Sequence, residues 1–319
     1  MIPLTETAAK APPARVKKKD GFLRKYCLQR ALILMLIPGV FSIFLFNYIP
    51  MYGVVIAFQD YNPMEGFFGG NNWVGLKYFI QFFKNPFLWR LTRNTVLLGV
   101  YSFLWGFPSS IILALMLDQV SCKWFKKSVQ SITYFPYFIS MIVIVGMLKS
   151  FFAIDGPVNH FRTLFGGTAI SFFTEPQYFR SLYIGSGIWQ GVGWGSIIYL
   201  AALSNVDPQL HEAAIIDGAT RMQRIRYVSW PSILPTVTIM MLMSIGGILG
   251  SDSQKVLLMY SSPIYETADI VGTYVYREGI LGGKFEYSTA VGLLTNVLSF
   301  LLLVIANTIS KKLNETSLW

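Results

Sequence analysis

The sequence predicts an all-α membrane protein with six transmembrane helices and both termini in the cytoplasm, and three observations carry that expectation. The first is where charge is missing. Only 13% of the 319 residues are charged and 53% are hydrophobic, against about a quarter charged in a soluble domain. Asp, Glu, Lys and Arg are absent from 31–59, 94–117, 128–148, 181–206, 227–251 and 287–310, each stretch at least 21 residues long. A helix needs ~20 apolar residues to cross the hydrocarbon core. The second is continuity: the run 293–305 is broken only by Thr295, Asn296 and Ser299, without the period-two alternation of a transmembrane barrel. The third is charge asymmetry. With the N-terminus inside, the inside segments hold 16 basic residues: eight in the tail, then Lys123, Lys126, Lys127, Arg221, Arg224, Arg226, Lys311 and Lys312. Seven acids oppose them, whereas the outside segments hold nine of each sign. Basic residues favour the cytoplasmic side, and anionic headgroups, not nucleic acid, are the counter-charge the basic balance implies.

The expected spans are 31–49, 94–117, 129–151, 181–203, 233–253 and 288–310. They follow a basic tail over 1–30 and leave external loops at about 50–93, 153–180 and 254–287, with a cytoplasmic loop at about 204–232. The tail does not read as a cleaved signal peptide, because its apolar run is too long and Asn47-Tyr48-Ile49-Pro50 is no small-residue cleavage site. Residues 53–93 combine turn-forming runs such as Asp60-Tyr61-Asn62-Pro63 with a dense aromatic stretch. That stretch suits either an interfacial helix or a small self-packed cap. Cys27 and Cys122 fall on the cytoplasmic side, where thiols stay reduced and no disulfide is expected.

Sites for chemistry are sparse. Gly282-Gly283-Lys284 fails as a phosphate loop, since Glu278 and Phe285 replace its first Gly and its hydroxyl residue. His160 and His211 belong to no cluster at metal-ligand spacing. The fourth span is rich in glycine (Gly185, Gly187, Gly191, Gly193, Gly195), which permits close helix packing or lines a cavity. Aromatic faces beside hydrogen-bonding groups, as a path for a polar solute would need, nominate Trp189, Gln190, Trp194 and Tyr199 on that span, with Ser251, Asp252 and Gln254 at the end of the next. The competing reading is that the tryptophans only anchor or pack the bundle, and that Asp252 sits at the membrane surface or pairs with Lys255.

A different signal lies in the cytoplasmic loop. Glu212-Ala213-Ala214, then Gly218 four residues beyond, then Val228-Ser229-Trp230-Pro231 resembles the pattern Glu-Ala-Ala, three residues, Gly, nine residues, Ile-x-Leu-Pro. That pattern belongs to permease subunits of binding-protein-dependent ABC importers; Val228 and Trp230 depart from it. Pro208 can begin a helix here and Gly218 can end one. The resemblance implies the type I importer permease architecture in a bacterial plasma membrane, with Glu212, Ala213, Ala214, Asp217, Gly218 and Pro231 in the segment that couples to the engine. It also implies partners: a second homologous permease, two ATPase subunits that hold the ATP and magnesium, and an extracellular solute-binding lipoprotein. No catalysis and no metal are expected in this chain. Tyr48-Ile49-Pro50-Met51-Tyr52-Gly53, Trp73-Val74-Gly75-Leu76-Lys77 and Tyr265-Glu266-Thr267-Ala268-Asp269 are similar to carbohydrate-uptake permeases, which implies an oligosaccharide cargo. A permease for peptide, or a secondary transporter or channel, is the alternative. The latter calls for internal repeats or several intramembrane ionisable residues, which the sequence lacks.

Overall fold

The computed structural model describes residues 30–66 and 72–314 and divides the chain into two units, one ending at Gly53 and the other beginning at Val54. The described residues of the first unit form a single helical run. Here α1 (Arg30–Ile43) passes Pro38 and continues through a π turn, Phe44–Tyr48. Leu34, Met35, Phe41 and Phe46 are all exposed, so the helix is apolar around its circumference, as a lipid-facing helix must be. Apart from Arg30, the expected basic tail lies outside the described residues.

The second unit opens on a short antiparallel pair, β1 (Gln59–Asp60) and β2 (Asn72–Trp73), followed by α2 (Lys77–Phe83). The rest is helical: α3 (Leu88–Asp118), α4 (Lys123–Tyr134), α5 (Met141–Phe151), α6 (Pro157–Leu164) and α7 (Pro176–Ser204). Then follow α8 (Pro208–Ile216), α9 (Arg221–Arg224), α10 (Trp230–Gly246), α11 (Ser253–Met259), α12 (Tyr265–Ala268), α13 (Val271–Val275) and α14 (Phe285–Asn314).

The spine of the unit is the α3–α7 pair. Near their starts Arg180 Nη2 donates to Asn94 Oδ1 at 3.1 Å. Further along, a Cβ on Gly195 would stand 2.6 Å from Ser110 Oγ. Near their ends Tyr199, Leu200 and Leu203 pack with Ile111, Ala114 and Leu117. The two helices therefore run in the same direction. Parallel neighbours require a return path, which α4 and α5 supply. Val129 joins the cluster around Tyr199, the Thr133 carbonyl lies against Gly193, and Val145 and Leu148 reach Phe179 and Tyr183.

That return is not the continuous helix expected over 129–151. The segments Lys123–Phe138 and Met141–Phe151 meet at 102°. A 3-10 turn, Phe135–Phe138, carries Pro136; Ile139 is extended (φ −80°, ψ 133°), and Ser140 caps α5 by accepting from Val143 N. Proline supplies no amide hydrogen to the helical ladder, and a serine cap starts a new helix rather than continuing the old one.

The expected helix over 233–253 is also corrected. It begins within α9 and α10 and stops at Gly246, before a turn that leaves Ser251 and Asp252 outside it. Asp252 then caps α11, accepting from Lys255 N at 3.1 Å. α10 runs opposite to α3: Ile233 and Val237 pack at the Asp118 end, while Ile248 O lies against Gly99 further along. α14 starts at the Leu88 end, where Tyr287, Ala290 and Val291 pack on Tyr78, Phe82 and Leu91, and finishes with Lys311 and Lys312 in its last turn.

By length and composition Leu34–Phe58, Leu88–Asp118, Arg221–Gly246 and Phe285–Lys312 can each cross a membrane, and the bent α4–α5 pair is a fifth if counted as one. α7 has 29 residues, enough length, but its glycines, serines and Gln190 hold its hydropathy below that of the other four. The Leu88 end is tied by the fully buried Asp269 carboxylate. Arg90 Nη2 reaches its Oδ2 at 3.1 Å, Arg277 grips both oxygens at 3.1 and 3.2 Å, and Thr273 Oγ1 donates to Oδ1 at 2.9 Å. Asn94 Nδ2 adds a bond to the Asp269 carbonyl at 3.0 Å. Each lone pair that burial strips of water is thus repaid by a donor.

Candidate functional site

Two sites lie along the α3–α7 spine, one at its Asp118 end and one at its middle. At the Asp118 end, Asp207 caps α8 by accepting from Gln209 N at 2.9 Å, and Pro208 stands in the first turn, where its missing amide hydrogen costs nothing. The helix closes at Gly218, which has φ +75°; Gly218 N bonds Ile215 O at 3.0 Å and Ala219 N bonds Ala214 O at 2.9 Å. The left-handed conformation, which a Cβ would strain, explains the glycine; nothing lies within 4 Å of an added Cβ. A capping box between Thr220 and Gln223 starts α9 at once. A nine-residue helix is thereby fixed at both ends.

This helix is presented rather than packed. Glu212, Ala213 and Asp217 are exposed, Ala214 is half-buried, and Ile216 is 85% exposed. Pro231 sits in the first turn of α10, also exposed. Behind α8 a cavity of about 400 Å³ is lined by Asp118, His211, Glu212, Arg221 and Arg224 among others. Arg224 Nε is buried there without a hydrogen-bond partner, which leaves the cavity a donor to offer.

The second site is a polar cleft in the middle of the spine. One lobe, about 380 Å³, is lined by Ser102, Gly106, Ser110, Gly187, Gln190 and Gly191, among others. A second, about 300 Å³, takes in Gly99, Phe103, Ser244 and Ser251; Ser102, Tyr183 and Asp252 line both. The wall is a helical stripe: Ser102, Gly106 and Ser110 recur every four residues on α3, and Tyr183, Gly187 and Gly191 do so on α7, so each set shares a face. Gly191 has nothing within 4 Å of an added Cβ and opens the space, whereas Gly193 and Gly195 sit hard against Thr133 and Ser110. The glycines of α7 therefore serve both packing and cavity.

Lys255 is the cationic group of the cleft, alongside the Asp252 carboxylate. It is 3% exposed, donates from Nζ to Tyr183 O at 2.9 Å, and lies 4.8 Å above the Tyr183 ring. Burial pulls its pKa down to about 8, with the Asp252 carboxylate opposing. Ser251 Oγ is buried without a partner, and Gln190 Nε2 makes one long bond, 3.4 Å, to Ile139 O. These groups can offer hydrogen bonds to a polar solute.

Of the residues nominated from sequence, Gln190, Ser251 and Asp252 come together at the cleft and the others do not line it. Trp194 is stacked on Tyr137 with ring centroids 4.5 Å apart and planes 3° from parallel, and Phe138 meets it edge-on. Tyr199 is 3% exposed and packs edge-on to Phe107 in the apolar cluster. Trp189 and Gln254 are exposed away from the cleft. Ser102, Ser110, Tyr183 and Lys255 were not legible as site residues; the four-residue stripe on α3 was the available signal.

Comparison with known proteins places this geometry. Residues 90–315 match the family described as binding-protein-dependent transport system inner membrane component. The chain is 40% identical to the polygalacturonan/rhamnogalacturonan transport system permease protein YteP of Bacillus subtilis, over 95% of this chain and 94% of that one. It is 41% identical to protein LplB of the same organism, over 97% of each. Among solved structures it is similar to a chain of a bacterial ABC transporter that imports the acidic polysaccharide alginate, at 34% identity and TM-score 0.84, covering 92% of this chain and 100% of that one. It is also similar, at 34% identity and TM-score 0.84, to a chain of a bacterial alginate ABC transporter in complex with an alginate pentasaccharide-bound periplasmic protein, covering 94% of this chain and 100% of that one. The chain belongs to the family of binding-protein-dependent transport system inner membrane components.

Proposed function

We propose that this chain is one of two permease subunits of an ABC importer for an oligosaccharide, with the cleft of α3 and α7 as its share of the path and α8 as its docking helix. The observation that carries the reading is that both sites are built on the same two helices. A shift at α8, one short loop beyond α7, is delivered to the walls of the cleft through a continuous packed cluster, Ile111, Leu117, Tyr199, Leu203 and Ile233. The cargo class comes from the relatives, whose names specify polygalacturonan, rhamnogalacturonan and alginate, and from serine, glutamine and charged groups suited to hydroxyls.

In this reading the chain crosses the membrane six times. Within the second unit α3, α7 and α14 run one way, and the bent α4–α5 pair and α10 run the other; the helix Leu34–Phe58 adds the sixth passage. Both termini and α8 then share the cytoplasmic side. Two ATPase subunits dock there, with ATP and magnesium bound in them, and this chain hydrolyses nothing. A second, related permease completes the path, and an extracellular lipoprotein delivers the sugar.

Reconstitution in vesicles tests this. The complete assembly takes up a labelled oligosaccharide with ATP and binding protein present, and the purified chain alone neither transports nor hydrolyses ATP. Transport by the chain alone contradicts the reading. Orientation is tested separately in whole cells: a cysteine placed by Thr168→Cys reacts with an impermeant thiol reagent, and one placed by Thr316→Cys does not.

A further inference from the structure

We propose that the Leu88 end of the fold carries a second saccharide site, remote from the cleft, that takes a sugar bearing a carboxylate. A concavity of about 470 Å³ lies between α2, α13, the following turn and the start of α14, within the size range of small-molecule sites. It borders Asn85 and Pro86 just before α3, whereas the Asp118 cavity lies at the other end of that 31-residue helix, about 45 Å away. The proposal rests on the oligosaccharide reading above, whose path it does not use.

Its floor is a cluster of buried hydroxyls with hydrogen-bonding capacity to spare. Tyr274 and Tyr287 are 6% and 3% exposed, and their oxygens lie 3.3 Å apart. Asn85 Nδ2 donates to both oxygens, and Asn85 Oδ1 is engaged by Phe87 N. The two phenols hold two protons between them. One serves the bond from phenol to phenol; the other has no acceptor among the described residues, although both side chains line the concavity. Burial, then the hydrogen bond with Tyr287, holds the Tyr274 pKa above the usual phenol range, so the hydroxyl remains a donor at neutral pH. That proton faces the concavity, where a ligand oxygen can accept it.

The rim selects the ligand's charge. Lys77, Lys84 and Lys284 line the concavity with Glu278 as the facing carboxylate, and Gln81 adds an amide. Glu278 is taken by Lys284 at 2.7 Å. Asp60 stands 3.9 Å from Lys77 but accepts from Tyr78 OH at 2.7 Å. Lys84 has no carboxylate within ion-pair distance among the described residues. With Lys284 held by Glu278, the ammonium groups of Lys77 and Lys84 over a floor of hydroxyl and amide donors match a sugar that brings both hydroxyls and a carboxylate. A concave floor of this kind favours a small polyhydroxy ligand over an acidic protein loop. Charge-assisted bonds to a carboxylate are the strong ones, so the acid group dominates affinity at low salt.

The test uses digalacturonate and its dimethyl ester, identical but for charge, titrated by calorimetry into the full transporter complex in lipid nanodiscs without ATP. The acid binds and the ester binds at least ~10-fold more weakly, the equivalent of one charge-assisted bond. The double variant Lys77→Gln/Lys84→Gln, altering only exposed side chains, weakens the acid about 10-fold and leaves the ester unchanged. Lys127→Gln, an exposed lysine on α4 outside both the concavity and the cleft, leaves both unchanged. Equal binding of acid and ester, or loss of acid binding in Asp252→Asn, in the cleft, with the double variant unaffected, overturns the proposal. So does a wild type that ignores the disaccharide while its binding protein docks only when the lysines are present, which makes the rim a protein-docking surface. Because no turnover is read, a complex that imports no sugar undermines the oligosaccharide reading and not this site.

Discussion

Over residues 102–110 and 183–191, α3 and α7 face a cleft edged by Ser102, Ser110, Tyr183, Gln190 and three glycines. Over 111–117 and 199–203 the same two helices close on each other through Ile111, Ala114, Leu117, Tyr199, Leu200 and Leu203, with Ile233 and Val237 of α10 filling the seam. The helices and their direction are unchanged; only the side chains differ. The polar stretch leaves room for a solute, and the apolar stretch makes a rigid joint between that room and α8. A joint of this kind moves as a body, because close-packed interiors transmit strain instead of absorbing it. In the proposed reading one stretch accommodates and the other transmits, so substitutions in the two should fail in different ways.

The largest effect is expected at the boundary between the two stretches. A Cβ at Gly193 would stand 2.1 Å from the Thr133 carbonyl, a backbone atom that cannot swing away. Gly193→Val should therefore block correct folding, seen as loss of monodisperse protein on gel filtration in detergent. Gly191→Ala, two residues away with open space around it, should fold normally and only narrow the cleft. Equal behaviour of the two breaks the division.

Next comes the apolar joint. Ile233→Ala removes a fully buried side chain and should cost about 2–5 kcal/mol, lowering the thermal midpoint of the purified chain. The matching change in the cleft, Ser102→Ala, should cost less than about 1 kcal/mol. If both lower stability alike, the cleft is as tightly packed as the joint.

The ionic tie at the Leu88 end supplies a third comparison. Asp269→Asn leaves Arg90 and Arg277, each about two-thirds buried, without their counter-charge. Breaking such a pair costs about 3 kcal/mol, and double substitution with Arg277→Met should recover part of it. No recovery would mean that the carboxylate acts through Thr273 and not through the arginines.

These comparisons also show what sequence could reveal. α8 was readable because its limits are local chemistry: Asp207 and Pro208 open it, and Gly218 ends it in a conformation that glycine adopts freely. The cleft was half readable. Gln190, Ser251 and Asp252 are polar residues in apolar surroundings, and any such residue stands out. Lys255 and Ser102 look ordinary in one dimension, because which face of α3 meets α7 is decided by tertiary packing. Of the two readings of Trp194, lining or packing, the structure shows the packed one, for a related reason. Its cover, Tyr137, is delivered by the break between α4 and α5, and the charge-free run over 128–148 concealed that break although Pro136 lies within it.

A smaller effect is expected on α8. Gly218→Leu places a Cβ at φ +75°, a strain of about 1–2 kcal/mol at an exposed turn, so the chain should still insert while sugar uptake falls severalfold. Gly218→Asn should retain most uptake, since asparagine tolerates the left-handed region, and Ala213→Ser should retain nearly all. Uptake by the Leu variant equal to that of the Asn variant would show that the shape of this turn does not matter to coupling.

The central claim is that the cleft between α3 and α7 is a water-filled part of the sugar path, and one accessibility measurement tests it most directly. In a background with Cys27→Ser and Cys122→Ser, Ser102→Cys is placed in the complete transporter and exposed to a charged, water-soluble thiol reagent with and without the transported oligosaccharide. The account predicts that the thiol reacts and that the sugar slows the reaction in at least one nucleotide state. A thiol that stays unreactive in every state, or reacts at a rate the sugar never changes, would contradict it.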